Sequence, residues 1–186
     1  MDRITDIIQQ LRGLLSQLEN ELAITETLPD TTPQQPGIVP NTIDGNQAPW
    51  VLALRAYEGK NEVDDEAELT AWLGVNPNGN DFDGVSWCAA AVNAGLHDSG
   101  LPTTGSLRAA DFAEYGNHCE EKNGAILVFQ PDPSAQFPVS HVCVKVNDTK
   151  ALGGNQGNAL KESNLAWYKQ NAKLVAVRCP TGFELA

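Results

Sequence analysis

The chain of 186 residues lacks a basic cluster, and it lacks any long apolar run. Its 12 lysines and arginines stand against 24 aspartates and glutamates, which gives a formal charge of -12. Binding to a phosphate backbone needs a basic face, so this charge argues against nucleic acid as a partner. Because no apolar run is long enough to cross a bilayer, we expect no stable membrane insertion.

A secretory signal is also missing, because the first residues include Asp2 and Asp6 instead of a basic segment followed by an apolar one. We therefore expect the chain to be made in the cytoplasm and to reach any target outside it after lysis, injection or export. Cysteine is scarce, and its spacing fits neither a zinc site nor a redox motif. The four cysteines are Cys88, Cys119, Cys143 and Cys179. Without a signal peptide, we expect four free thiols.

Two segments of different composition precede the main body of the chain. Residues 1–26 carry apolar residues at three- and four-residue spacing, which predicts an amphipathic helix. The spacing also fits a short heptad seam, so this helix either associates with itself, docks on a virion or another partner, or packs on its own domain. Residues 27–47 contain four prolines among polar residues and are predicted to be a linker. Residues 48–186 are then the folded domain.

Within residues 48–186, the apolar pattern changes from helical to strand-like after about residue 120. Helices are predicted over residues 49–59, 64–73, 87–99 and 106–115. Strands are predicted over residues 125–129, 141–146, 150–155 and 174–178. Helices followed by hairpin-linked strands predict an α+β domain in which the N-terminal helices pack on a central antiparallel sheet.

One cysteine lies where a helix is predicted to begin. Ser86 is the expected N-cap, so Cys88 falls in the first turn, where free backbone N–H groups and the helix dipole favour a thiolate. A cysteine followed by three alanines is also typical of a small buried core residue. If Cys88 is a nucleophile, the rest of the chain has to supply a base.

The base has three candidates, which are His97, His118 and His141. His97 lies two to three turns along the cysteine helix, and His118 falls in a polar segment expected at the surface. His141 opens a predicted strand and is therefore the expected base.

The group that orients the imidazole is expected on the next strand. A hairpin turning at Asn147 and Asp148 pairs residues whose numbers sum to about 295 or 296. That register places Asn155 opposite His141 or its near neighbour, with Gln156 directly behind it. Either amide could orient the ring, and Asn155 is the first choice.

Three short sequences occur along the chain in a recognisable order. They are Trp87-Cys88-Ala89-Ala90, Ser140-His141-Val142 and Leu152-Gly153-Gly154-Asn155-Gln156. With Pro49-Trp50 and Gly100-Leu101-Pro102, they make residues 49–180 resemble the NlpC-type and CHAP superfamily of peptidoglycan amidases and endopeptidases. Within that superfamily the chain is most similar to a phage-associated subgroup.

The resemblance implies a papain-like fold that hydrolyses amide bonds in bacterial cell-wall peptides, so the expected partner is peptidoglycan. Cys88 would be the nucleophile that forms an acyl-enzyme, His141 the base and Asn155 its orienting residue. The backbone N–H of Cys88 would stabilise the oxyanion. The side chains expected at the substrate cleft are Trp87, Ser140 and Gln156.

No cofactor is required by this chemistry. Some related CHAP domains hold calcium in the loop before the cysteine, and Asn80, Asp81 and Asp83 could supply oxygen ligands of that kind. A solvated turn is the simpler interpretation of these residues. Ser140 and Cys143 stand where the family often has glycine, which would narrow the cleft around His141 and alter substrate preference.

The expected function is that of a phage or prophage endolysin, or of a lysin carried by the virion. One alternative is an exported antibacterial amidase that uses the same chemistry as an effector. The other is a catalytically inactive protein that binds the wall or serves a structural role with the same fold.

Overall fold

The structure is a computed structural model, and it describes residues 41–75 and 86–186. The helix predicted over residues 1–26, the linker up to residue 40 and the calcium candidates Asn80, Asp81 and Asp83 lie outside these residues. Within the two described ranges, no helix has both the length and the apolarity that a membrane span requires.

Four α-helices occur in the described part of the chain. They are α1 (Pro49–Ala56), α2 (Glu66–Leu73), α3 (Cys88–Asp98) and α4 (Leu165–Asn171). Pro49 suits the first turn of α1, where its missing N–H costs no hydrogen bond, and Gly74 ends α2 in the left-handed conformation. The helix predicted over residues 106–115 is a shorter 3₁₀ helix, Ala109–Glu114, and α4 was not predicted.

The strands of the domain number eight in the described residues. They are β1 (Asn41–Ile43), β2 (Asn117–His118), β3 (Ile126–Pro131), β4 (His141–Lys145), β5 (Lys150–Gly153), β6 (Lys161–Asn164), β7 (Ala172–Cys179) and β8 (Phe183–Leu185). Six of them form one sheet in the order β2-β7-β3-β4-β5-β6, and every neighbouring pair is antiparallel. The predicted α+β class with an antiparallel sheet is confirmed.

The core lies at the centre of this sheet and beneath α3. Four consecutive residues of β3, Ile126–Phe129, are fully buried, and so are residues 142–144 of β4. Since successive residues of a strand point to opposite faces, both faces of the two central strands are covered. The helix α3 packs against α1, α2, β4 and β5, and its first four residues are buried. Small alanine side chains therefore bring the start of α3 close to the sheet.

The folded domain starts earlier than the sequence indicates. Residues 41–47, assigned above to the linker, form β1 and a 3₁₀ helix, Gly45–Gln47, and β1 pairs in parallel with β8. A Cβ atom at Gly45 would overlap the carbonyl of Asn123, so glycine is needed for this close approach. The strand β1 has only three residues and pairs with residues 142 positions later, so no local pattern in the sequence predicts it.

The expectation of four free thiols is wrong, because Cys119 and Cys179 form a disulfide. The antiparallel register of β2 and β7 places Asn117 opposite Cys179, which brings the Cα atoms of the two cysteines to 5.9 Å. Sixty residues separate them in sequence, so only the sheet register reveals the pairing. Cys88 and Cys143 are free and buried.

Candidate active site

Cys88 lies in the first turn of α3, as predicted, but the helix begins at Cys88, one residue later than expected, and the cap differs. The N-cap position belongs to Trp87, which makes no side-chain capping bond. Ser86 lies one residue too early to cap the helix, and its hydroxyl donates to the Sγ atom of Cys88 at 3.2 Å. Ser86 is therefore a partner of the thiol rather than of the helix backbone.

The environment of the thiol opposes ionisation. Cys88 is 1% exposed, and burial raises the pKa of its thiol. Hydrogen bonds from the Ser86 hydroxyl and the Val142 backbone N–H lower that pKa by less than burial raises it. The thiolate expected from the helix dipole is thus not the resting form, because desolvation outweighs the dipole and the hydrogen bonds.

His141 is the first residue of β4 and lies opposite Phe129 of β3. The helix α3 packs against β4, and the backbone of Val142, the residue after His141, is near enough to the Cys88 thiol to lower its pKa. His141 is 4% exposed, and burial lowers the pKa of its imidazole to about 3. The ring is therefore neutral at ordinary pH, which is the form that a base requires.

The other two histidines lie away from this junction. His97, near the end of α3, has a side chain that is 83% exposed and contacts Asp98. His118 belongs to the short strand β2 and is exposed.

A cleft of about 630 Å³ opens beside the imidazole. Its lining includes Ser86, Ser140, His141, Asn155, Gln156 and Lys161. Side chains from the start of β4, the turn after β5, the strand β6 and the helix α4 thus meet at one site, and the Cys88 thiol adjoins it through Ser86.

The register that links β4 to β5 agrees with the sequence. Val144 pairs with Leu152 and Lys145 with Ala151, so the paired numbers sum to 296 and the predicted hairpin is confirmed. The strand β5 ends at Gly153, however, and Asn155 has a φ of 54°, in the left-handed region that asparagine tolerates. Asn155 consequently leaves the ladder before reaching His141. The two side chains line the same cleft, and within the described residues no hydrogen bond joins them.

Two adjacent glycines let this turn lie close to α3 and β4. A Cβ atom at Gly154 would lie 2.5 Å from the ring of Trp87 and 2.6 Å from Cβ of Ala91. A Cβ atom at Gly153 would lie 3.0 Å from Cβ of Cys143. The Gly-Gly-Asn-Gln segment and the Trp-Cys segment are therefore packed on each other.

Trp87 supports this turn and does not line the cleft. It is 3% exposed, its ring lies under Gly154, and its indole N–H donates to Glu62 at 2.8 Å. The expectation that Trp87 forms the cleft wall is wrong, because packing and one hydrogen bond already use both the ring and its N–H. Ser140 lines the cleft as predicted and is exposed there.

Gln156 also lines the cleft, but its amide is fully engaged. Its Nε2 atom donates to the carbonyls of Ala151, Gly153 and Lys161 at 3.3, 3.1 and 2.6 Å. Its Oε1 atom accepts the hydroxyl of Tyr168 at 2.9 Å. Gln156 therefore cannot bond directly to the imidazole in this arrangement.

Tyr168 is the residue of the site that the sequence analysis missed. Its ring lies parallel to that of His141, with the centroids 4.5 Å apart and the planes 1° from each other. It belongs to α4, a helix of seven residues whose start is capped by the side chain of Asn164 on the N–H of Ala166. Asn164 followed by apolar residues three apart, Leu165 and Tyr168, is the signal that could have found it.

A metal centre does not form in the parts of the chain that the structure describes. In residues 41–75 and 86–186, histidine, cysteine and acidic side chains do not cluster in threes at a metal-binding distance.

No family model matches the chain, and no curated protein matches it. Similar solved structures include NlpC2 from Trichomonas vaginalis, which is 15% identical with a TM-score of 0.40 over 52% of this chain and 36% of that one. A Staphylococcus aureus subsp. aureus Mu50 protein described as similar to lipoprotein, NLP/P60 family, is 18% identical with a TM-score of 0.45 over 87% and 47%. The matched part of the chain thus spans a third to a half of those proteins. The functional assignment therefore rests on the chain's own residues.

Proposed function

We propose that this protein is a cysteine hydrolase that cleaves amide bonds in the peptides of bacterial peptidoglycan. The observation that carries the proposal is the meeting of α3 and β4 beside a cleft: Cys88 begins α3, His141 begins β4, and the hydroxyl of Ser86, which lines the cleft together with His141, donates to the Cys88 thiol at 3.2 Å. The resemblance of residues 49–180 to the NlpC-type and CHAP superfamily supports the choice of substrate.

The first step starts from two neutral groups. Burial raises the pKa of Cys88 and lowers that of His141, so a stored thiolate–imidazolium pair is disfavoured at rest. The proton therefore passes from Sγ to the imidazole as the sulfur attacks the amide carbonyl. The first backbone N–H groups of α3 have no intrahelical acceptor, and that of Cys88 is assigned to the oxyanion.

The second half of the reaction returns the proton. The imidazolium of His141 donates it to the departing amine, and a thioester remains on Cys88. Neutral His141 then takes a proton from water as the water attacks the thioester, and the thiol leaves with that proton. Asn155, in the same cleft, is assigned to accept a hydrogen bond from the transient imidazolium.

The charge of the cleft suits a peptide that carries free carboxylates, as peptidoglycan stem peptides do. Lys161 is the one charged side chain among the described residues that line the cleft, because burial keeps His141 neutral. The chain as a whole has a formal charge of -12, so the charge of the cleft is opposite in sign to that of the whole chain. Lys161 is assigned to bind a carboxylate of the substrate.

The setting that the resemblance favours is a phage endolysin or a virion-associated lysin. The Cys119–Cys179 disulfide favours a protein that works outside a reducing cytoplasm, and on that observation an exported antibacterial effector is the second candidate. A neighbouring immunity gene, or toxicity only when the protein is directed to the periplasm, would separate the effector from a lysin. The burial of Cys88 is the observation that favours the third candidate, an inactive wall-binding protein.

Purified sacculi decide between hydrolysis and binding. The native chain should lower the turbidity of sacculi and release new amino groups, whereas Cys88→Ala should bind without releasing them. Cys143→Ala, which removes the other buried free thiol, is the matched control and should remain active. Absence of hydrolysis across several peptidoglycan types, or equal hydrolysis by Cys88→Ala, would count against the proposal. Mass spectrometry of the released fragments identifies the bond.

A further inference from the structure

We propose that Tyr168 is a positioning residue that fixes the plane of the His141 imidazole by ring stacking. The inference rests on the proposed function, since it assigns to Tyr168 part of the orientation of the imidazole, which the sequence analysis assigned to Asn155. It also makes Gln156 the residue that anchors this arrangement.

The contact between the two rings is close and parallel. Their centroids lie 4.5 Å apart at an interplanar angle of 1°. Tyr168 also contacts Phe129, the cross-strand partner of His141, at 5.5 Å, and meets Trp167 edge to face at 5.2 Å. The tyrosine ring is thus held on more than one side, and it can hold the imidazole in turn.

A chain of hydrogen bonds fixes the far end of the tyrosine. Its hydroxyl donates to Oε1 of Gln156, and the Gln156 amide is bonded to carbonyls of β5 and β6. Burial raises the pKa of Tyr168, so its hydroxyl remains a donor throughout the working pH range. The position of the ring is therefore set by the backbone of the sheet.

Stacking differs chemically from the hydrogen bond that an orienting amide supplies. In the described residues, Nε2 of His141 is buried and has no hydrogen-bond partner. An oxygen acceptor at a ring nitrogen would stabilise the imidazolium and raise the pKa of the base. A parallel ring restricts rotation of the imidazole without adding such an acceptor. Tyr168 can therefore orient a base that stays neutral until the thiol proton arrives.

Two substitutions separate the ring from its hydroxyl, and a second buried tyrosine supplies the control. Tyr168→Phe keeps the stacked ring, whereas Tyr168→Leu removes it. Tyr115 is also buried, and its hydroxyl donates to the Pro102 carbonyl at 2.9 Å, but its ring contact is with Phe112. Tyr115→Phe and Tyr115→Leu therefore make the same chemical changes away from the imidazole.

We expect kcat for wall-peptide hydrolysis to fall about 100-fold in Tyr168→Leu, the size of effect that a misplaced catalytic group produces. KM should change by less than about threefold, because the ring acts on the base and not on substrate binding. Tyr168→Phe should retain activity within about tenfold, since it loses one hydrogen bond only. A folded Tyr168→Leu that keeps its kcat, or a Tyr115→Leu that loses as much, would overturn the inference. So would a loss in Tyr168→Phe as large as that in Tyr168→Leu.

A second measurement needs neither substrate nor a folded leucine variant. Protons above an aromatic face are shifted upfield in NMR spectra, so the His141 ring protons of the native full-length chain should lie upfield of those of exposed His97 and His118. Normal shifts would overturn the inference. If the upfield shift is present but the native chain hydrolyses no wall peptide, the proposed function fails and the positioning contact stands.

Discussion

The six-stranded sheet has two halves that differ in the state of their cysteines: β4, β5 and β6 form one half, which borders the cleft, and β2 and β7 lie in the other. In the half that contains β4, β5 and β6, Cys143 of β4 and Cys88 of α3, which packs on β4 and β5, are buried free thiols. On the side of β2 and β7, Cys119 and Cys179 are cross-linked. The thiol that is proposed to react is thus one of the two that are not cross-linked. At the opposite edge, where β2 has only two residues, a covalent bond holds the strand.

The comparison also concerns stability. In the half that borders the cleft, the Cys88 thiol, the His141 imidazole and the Gln156 amide are buried, and the desolvation of such groups opposes folding. In the other half, the Cys119–Cys179 disulfide closes a long loop and stabilises the folded chain. The domain thus combines a destabilising arrangement at the site with a stabilising one elsewhere, as functional proteins commonly do.

The largest effect should come from the nucleophile. Cys88→Ala should lower the rate of wall-peptide hydrolysis by at least about 10⁴-fold, whereas Cys143→Ala should retain it within about tenfold. Both substitutions remove one buried thiol, so similar losses in packing are expected from each. The two variants are compared by their initial rates of amino-group release from sacculi. Equal losses in the two variants would mean that the effect is structural and that the free thiols do not differ in role.

The disulfide should matter to stability and little to chemistry. We expect the double variant Cys119→Ser and Cys179→Ser to lower the free energy of unfolding by about 2–4 kcal/mol. Denaturant unfolding with and without a reducing agent measures this free energy. The reducing agent should lower it in the native chain and leave it unchanged in the double variant. Activity well below the unfolding transition should be retained. A loss of kcat with unchanged stability would place Cys119 and Cys179 in the catalytic machinery and break the comparison.

Burial of His141 should make stability depend on pH. The pKa of His141 is about 3 in the folded chain and 6.5 for an ordinary histidine. Between these two pH values, the unfolded chain binds a proton that the folded chain does not. The free energy of unfolding should therefore fall as the pH drops below about 6.5, by roughly 1 kcal/mol per pH unit from this group. Urea unfolding across the window should show a smaller slope in His141→Gln than in the native chain.

Exposed His97 supplies the control for that measurement, since His97→Gln should leave the slope unchanged. If the native chain and His141→Gln show the same slope, His141 is not held neutral by burial.

The smallest effect should come from the cation of the cleft. Lys161→Met should raise KM about tenfold, with kcat nearly unchanged, if Lys161 binds a substrate carboxylate. Lys150→Met is the matched control, because Lys150 lies on β5 outside the cleft lining. Kinetics on peptides with free and amidated carboxylates test the assignment. It fails if both peptides respond equally to Lys161→Met.

Local patterns predicted the parts of the site that depend on neighbours in sequence. The placement of Cys88 in the first turn of a helix follows from the local sequence around it, and the start of β4 at His141 follows from the apolar run after it. The structure agrees with both, although α3 begins at residue 88 and not at 87. The register of β4 and β5 follows from a short hairpin, which allows few alternatives. The roles of Cys88, His141 and Asn155 in catalysis remain predictions.

The missed features depend on residues far apart in the chain or on burial. The Cys119–Cys179 bond requires the register of β2 and β7, and the stacking of Tyr168 on His141 requires α4 to fold over β4. The neutral state of Cys88 depends on how deeply it is covered, which no local pattern reports. Trp87 was assigned to the cleft because it is next to the thiol, although its ring points to Gly154 and Glu62.

The contact between Trp87 and Gly154 has a consequence for how such a sequence can vary. Since a methyl group at residue 154 would overlap the indole ring, the two positions cannot change independently. A Cβ atom at 154 would also meet Cβ of Ala91, so in a library randomised at 87, 91 and 154, alanine or serine at 154 should be recovered only with glycine at 91 and a smaller side chain at 87. A smaller side chain there would also leave Glu62 without its indole partner, so a polar replacement should accompany it at residue 62. Positions 62, 87, 91 and 154 should therefore covary as one unit.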